Sequence, residues 1–209
     1  NYSSAQHIGL GRVTATALAP DSSWMAVAVM RLDQDGADYA SDLWKVAFDG
    51  SEPVQLTRGD STDGAPCFRH DSALGFLSNR KPTDLKTDEG ADKRNQIWIL
   101  PATGGEPLQL SDEPLGIAGF RFARRGDRLV YTASVLPDVA HDKQRETAAQ
   151  RAKTGPNARH FTQQPVRHWD HWLHENDDMA NTHLIACRSD GNQRTDLTPD
   201  ARRELAIEP

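Results

Sequence analysis

The chain has 209 residues, 24 Lys+Arg against 30 Asp+Glu for a net charge of −6, and a 37% hydrophobic content. That acidic balance offers phosphates no basic face and an anionic bilayer no counter-charge, and no apolar run approaches the roughly 18 residues of a spanning helix, so neither nucleic acid nor membrane is expected as a partner. Cys67 and Cys187 stand far apart, at no metal-ligand spacing, and read as small buried apolar residues; this fits a cytoplasmic setting, with a periplasmic or secreted one left open.

Residues 1–10 have neither a basic start nor an apolar run, and no Met begins the chain, so it is expected to start inside a longer protein or to have lost a leader. Residues 13–19 alternate weakly and meet a turn at Pro20-Asp21-Ser22-Ser23. Trp24 to Met30 is a nearly continuous apolar run, as a strand covered on both faces requires. Residues 42–48 alternate, with Leu43 and Trp44 the heaviest, and Asp49-Gly50 supplies a hairpin turn. Residues 54–57 are short and polar at the end, which suits an outer edge strand.

The same order recurs. Trp44 and Trp98 stand 54 residues apart, as do Leu56 and Leu110, while Leu110 and Leu197 are separated by 87. Units of four strands with a period near 50 predict an all-β fold, a partial β-propeller of about three blades. The blades are expected at 13–58, 64–111 and 117–198, the third interrupted by a helical and loop insertion at 136–180. Within it, Asp138 is the expected N-cap of a helix over 138–153, stopped by Gly155-Pro156. Residues 81–94 read as a charged, solvent-exposed loop. A blade cannot cover its own faces, so further blades are expected on either side.

The stretch Leu18-Ala19-Pro20-Asp21-Ser22-Ser23-Trp24-Met25-Ala26 resembles the inner hairpin of TolB-like propellers. Asp42-Leu43-Trp44-Lys45-Val46, the segment from Gly50 to Gly59, and Arg167-His168-Trp169-Asp170-His171-Trp172 together resemble the N-terminal propeller of the prolyl oligopeptidase family of serine peptidases, in its acylaminoacyl- and dipeptidyl-peptidase branch. The resemblance implies a propeller that caps the chain's own C-terminal α/β-hydrolase domain and restricts access to short peptides, with peptide substrate as the ligand and no cofactor. The alternative is a non-enzymatic TolB-like propeller that binds a protein partner. A homo-oligomer is left open. The family's catalysis belongs to a G-x-S-x-G elbow, and no such pentapeptide occurs here; Ser61 in Gly59-Asp60-Ser61-Thr62-Asp63-Gly64 has an Asp where the second Gly belongs, so no catalytic residue is expected.

Six of the eight histidines fall between His141 and His183. On a helix, His171, His174 and Glu175 would share a face able to hold a metal, but the motif is not H-E-x-x-H, and packing of Trp169 and Trp172 between blades is the expectation, with no metal. Arg167, Asp170, Glu175 and Asp177 are the candidate substrate-binding residues, because carboxylates projecting from a propeller can hold a peptide's free amine through charge-assisted hydrogen bonds. Arg167 and Asp170 read equally as an ion pair that pins the loop.

Overall fold

In a computed structural model the protein is described over residues 10–32, 38–81, 94–154 and 180–200, and in its backbone alone over 166–168 and 171–173. Twelve of its strands form three four-stranded antiparallel meanders. The first blade holds β1 (Arg12–Leu18), β2 (Trp24–Leu32), β3 (Tyr39–Ala47) and β4 (Val54–Gln55). The second holds β5 (Asp63–Phe68), β6 (Leu74–Ser78), β7 (Gln96–Leu100) and β8 (Leu108–Gln109). The third holds β9 (Ile117–Phe122), β10 (Leu129–Val135), β13 (Asn181–Cys187) and β14 (Thr195–Asp196). Between β10 and β13 lie a 3-10 turn (His141–Lys143), the helix α1 (Gln144–Thr154) and a small hairpin, β11 (Val166–His168) with β12 (His171–Leu173). The three-blade reading and the place of the insertion agree with this architecture.

The period-2 alternation of a strand decides which side chains enter which seam. In the second blade Leu74, Phe76, Trp98 and Leu100 pack back onto Ala26, Ala28 and Leu43 of the first. The opposite face of the same two strands sends Leu77, Ile97 and Ile99 forward against Phe120, Phe122, Leu129, Tyr131 and Ile185 of the third. Both seams thus set a face of large side chains against a face that includes small ones. Gly75 shows the tightness of the fit: a Cβ there would lie 2.5 Å from the Phe122 ring. Trp24 and Phe68 meet edge to face across the first seam, with ring centroids 4.9 Å apart.

A second device repeats in every blade. Thr57, Ser111 and Thr198 follow the short outer strands, and each hydroxyl accepts the main-chain N–H of the third strand, from Leu43, Ile97 and Leu184, at 2.9, 2.8 and 2.9 Å. The outer strand can therefore stop after two residues without stranding its neighbour's donor. This is the physical content of the recurring Leu-Thr, Leu-Ser, Leu-Thr pairs.

The inner hairpin turns are alike despite their different residues. Ser22, Ser72 and Gly126 all take positive φ, and in the first two turns Asp21 and Asp71 accept the amides of Ser23 and Ala73. The expected helix start is corrected. Asp138 has φ 58, which is outside the helical region, and the helix begins at Gln144 behind the 3-10 turn. Gln144 is the buried residue of α1, and its amide closes onto Leu136 and Val139. The described helix runs to Thr154, and the expected stop at Gly155-Pro156 lies outside the described residues.

Gly75→Val is expected to destabilise the protein by about 1–3 kcal/mol by overpacking against Phe122. Gly64→Ala, whose Cβ meets nothing within 4 Å, is the matched control and should shift the urea midpoint little. Thr57→Val should cost about 1–3 kcal/mol in the same titration by leaving the Leu43 amide unpaired, and Thr57→Ser should spare it.

Candidate functional site

Strand alternation places all β2–β3 type connections, and the crossings from one blade to the next, at one end of the sheets. That rim carries the insertion. The opposite rim carries only short turns, tied across the second seam by Arg69, which donates to the Ser189 carbonyl at 3.2 Å. The insertion-bearing rim is therefore where the chain has spent its irregular sequence, and it is the candidate functional face.

At this rim the first seam holds Asp63, fully buried, whose carboxylate accepts from Ser78 at 2.6 Å and Ser61 at 3.2 Å and is paired with Arg80. The Arg80 guanidinium lies over the rings of Phe76 and Trp98, at 5.1 and 5.4 Å. Ser61 thus donates to a carboxylate that is also paired with an arginine, and the three groups hold the connector between the first two blades.

The second seam holds the densest polar cluster. Glu113, in the crossing between β8 and β9, is 4% exposed at its side chain. Its main chain is fixed by Gln96, which accepts the Glu113 amide at 2.9 Å and donates to its carbonyl at 2.8 Å. Its carboxylate accepts from Tyr131 at 2.5 Å and from Arg194 at 2.7 and 3.3 Å, and it faces His141 Nε2 at 3.4 Å. Burial works to raise the Glu113 pKa, but the hydrogen bonds from Arg194 and Tyr131, with the nearby positive charge, prevail and hold it below the ordinary value. Burial and the same carboxylate push the Tyr131 phenol up, and burial pushes the Cys187 thiol up to about 11, so that cysteine is not a thiolate at neutral pH.

Beside this cluster an open cleft of about 490 Å³ lies between the crossing and the insertion, lined by Asp112 and Pro114 on one side and by His141, Asp142, Arg145, Glu146 and Ala149 on the other. Arg145 pairs with Asp112 at 2.9 Å on the surface, a contact worth about 0–1 kcal/mol. The tie from His141 to Glu113 reaches a buried carboxylate at the seam. Among the described residues no group of three or more His, Cys, Asp or Glu is arranged to hold a metal.

Of the residues singled out from sequence, Arg167 lies on β11, where its backbone pairs with Trp172. Asp170, Glu175 and Asp177 lie outside the described residues, as do Trp169, His174 and most of the charged loop of the second blade. Sequence reasoning missed Glu113, Tyr131 and Arg194. Arg194 is 81 residues from Glu113, and no local period links them. The one available signal was position: Glu113 follows the recurring Leu-Ser pair, in the segment that must cross to the next blade.

The fold and its repeats define a run of propeller blades. No family model matches the chain. It is 26% identical over 136 residues to the peptidase YuxL of Bacillus subtilis, covering 65% of this chain and 19% of that protein. It is 26% identical over 165 residues to dipeptidyl-peptidase 5 of Porphyromonas endodontalis, covering 78% of this chain and 22% of that one. The chain thus spans about a fifth of the curated relatives it matches. Among solved structures it superposes on the AtxE2 isopeptidase with a TM-score of 0.56 at 12% identity, over 97% of this chain and 33% of that one. On the acylaminoacyl peptidase of Pyrococcus horikoshii the TM-score is 0.53 at 10% identity, over 90% and 25%. The relatives are peptidases and the structural neighbours share the propeller fold, so the chain resembles the propeller part of a prolyl-oligopeptidase-family peptidase.

Because the folded pKa of Glu113 is depressed, its contribution to stability is present above the ordinary glutamate value of 4.5 and is lost as pH falls through the lower folded value. The stability gap between wild type and Glu113→Gln, from urea titrations at several pH values, should be largest near neutrality and should shrink below about pH 4.5.

Proposed function

We propose that this chain is the propeller portion of a serine peptidase of the acylaminoacyl- or dipeptidyl-peptidase type, and that it caps a hydrolase domain of the same protein and limits entry to short peptides. The observation that carries the reading is the asymmetry of the two rims. One has tight turns. The other has an insertion, a charged cleft and crossings pinned by buried carboxylates, in a chain whose curated relatives are peptidases. The chemistry would be acyl transfer by a Ser-His-Asp triad outside these residues, with an oxyanion hole beside its nucleophile. The propeller's share would be steric, with the helix and hairpin of the insertion standing in the route of a longer peptide. Two free cysteines fit a reducing, cytoplasmic compartment for this portion.

The test uses the gene's full-length product. It should hydrolyse chromogenic N-acylated amino-acid or dipeptide amides and reject long peptides, and deleting 138–180 should extend hydrolysis to longer peptides while kcat/KM for the short amides changes little. A full-length protein that hydrolyses none of these and instead retains a stable protein partner would overturn the reading in favour of a binding propeller. An unchanged length limit after the deletion would overturn the gating role.

A further inference from the structure

The inner hairpin of each blade closes on the same main-chain hydrogen bond. The amides of Ala19, Arg69 and Ala123 donate to the carbonyls of Trp24, Ala73 and Arg128, at 3.0, 2.9 and 2.9 Å. The three acceptor residues are therefore equivalent, and strand alternation sends their side chains toward the following blade. There Trp24 meets Phe68 edge to face, and Ala73 joins the apolar cluster of the second seam. Arg128, in the same place on the third blade, is exposed.

The residues around it make the same exchange. Ala17, Cys67 and Arg121 pair with Ala26, Gly75 and Val130, so these three are equivalent as well. Arg188 directly follows Cys187, the partner of Leu129, and so stands opposite Arg128 as Ala47 stands opposite Trp24. At the tight-turn end, the forward face of the third blade thus carries guanidiniums where the first two blades carry uncharged residues. Arg188 is paired with Asp127 and Asp190. Arg121 is exposed and donates to the Phe120 carbonyl at 2.9 Å, and neither it nor Arg128 has a carboxylate partner among the described residues. In a chain of net charge −6, unpaired arginines gathered on one end of one sheet face are a departure in kind.

We infer that the third blade is covered by a sheet face of the same protein that carries Asp or Glu side chains at its tight-turn end, paired with Arg121 and Arg128. The inference rests on the reading of this chain as a portion of a longer protein. Continuity with the two seams points to a sheet as the occupant, since Gly119, Thr132 and Ala186 beside the arginines repeat the forward face that includes small residues. The arginines specify its charge. A guanidinium taken out of water at a seam needs a carboxylate, and its planar fork can hold both oxygens at once. Such a face would not fit the other seams, where the same spot holds Trp24 against Phe68, or Ala73 among apolar residues. Charge therefore marks this joint for one partner and excludes the others.

The test uses the gene's full-length product carrying Arg128→Lys, which keeps the positive charge and offers an amine. A water-soluble carbodiimide activates a carboxylate, and an amine in ion-pair contact attacks it to form an amide while the activator leaves as a urea. Peptide mapping by mass spectrometry should place the new amide between position 128 and an Asp or Glu beyond residue 209 of the same polypeptide. No amide at position 128, or one only to Asp127 or Asp190, overturns the inference. So does an amide to another protein or to a second copy, the latter told apart by mixing unlabelled and 15N-labelled protein. Arg121→Glu combined with Arg128→Glu should lower the urea midpoint of the full-length protein by setting like charges together, and an unchanged midpoint overturns the inference equally. Hydrolysis of short amides by the Arg128→Lys protein is scored separately: an active protein without the amide bond removes this inference and leaves the peptidase reading standing.

Discussion

A four-stranded sheet of this kind has two apolar faces and no helix of its own to cover them, so each blade must be covered by its neighbours. The two seams meet that demand with an asymmetric joint. The face turned to the preceding blade carries the large residues, Phe76 and Trp98 in one case and Phe122, Tyr131 and Ile185 in the other, and the face turned to the following blade includes Ala26, Ala28 or Gly75. Blade order is thus written into side-chain volume. A symmetric joint would allow blades to pack in either sense, and interior packing at crystal-like density does not tolerate that ambiguity.

The asymmetry has a consequence at the ends of the run. By the register of β2 and β3, Met25, Val27, Val29, Trp44 and Val46 share the face of the first blade turned away from the second. That is the large-residue face, with Trp44 in the place that Trp98 occupies one blade later. On the third blade the outward face presents Gly119, Arg121, Val130, Thr132, Leu184 and Ala186, a face that again includes small residues. The two outer faces of the run thus repeat, in kind, the faces that meet at the two seams.

The polar groups at the insertion-bearing rim serve a different requirement. Each crossing between blades is irregular backbone that must pass over a seam, and its amides and carbonyls need partners. Asp63 with Arg80, Gln96 with Glu113, and Glu113 with Tyr131 and Arg194 supply them at the same end of the sheets. Glu113 does two things at once: its main chain is the anchored crossing, and its carboxylate receives the insertion through His141. The helix α1 buries only Gln144, so its position depends on that polar seat more than on apolar burial.

The blade count, the turns and the place of the insertion were legible in the sequence, because each follows from a local rule: alternation, turn chemistry, and a period marked by Trp44, Trp98, Leu56 and Leu110. The helix start was misjudged because Asp138 is a good cap by type, while the backbone there takes a positive φ that only the surrounding turn imposes. The substrate-facing residues read from sequence fall on β11 or outside the described residues. The cluster that does form joins Glu113, Tyr131, His141 and Arg194, four positions with no common period. Local order in a repeat protein is set by neighbours along the chain, and the sequence alone determined that much here. Which carboxylate is buried, which arginine reaches it and which histidine faces it were decided only by tertiary structure, because those contacts are made between residues distant in sequence.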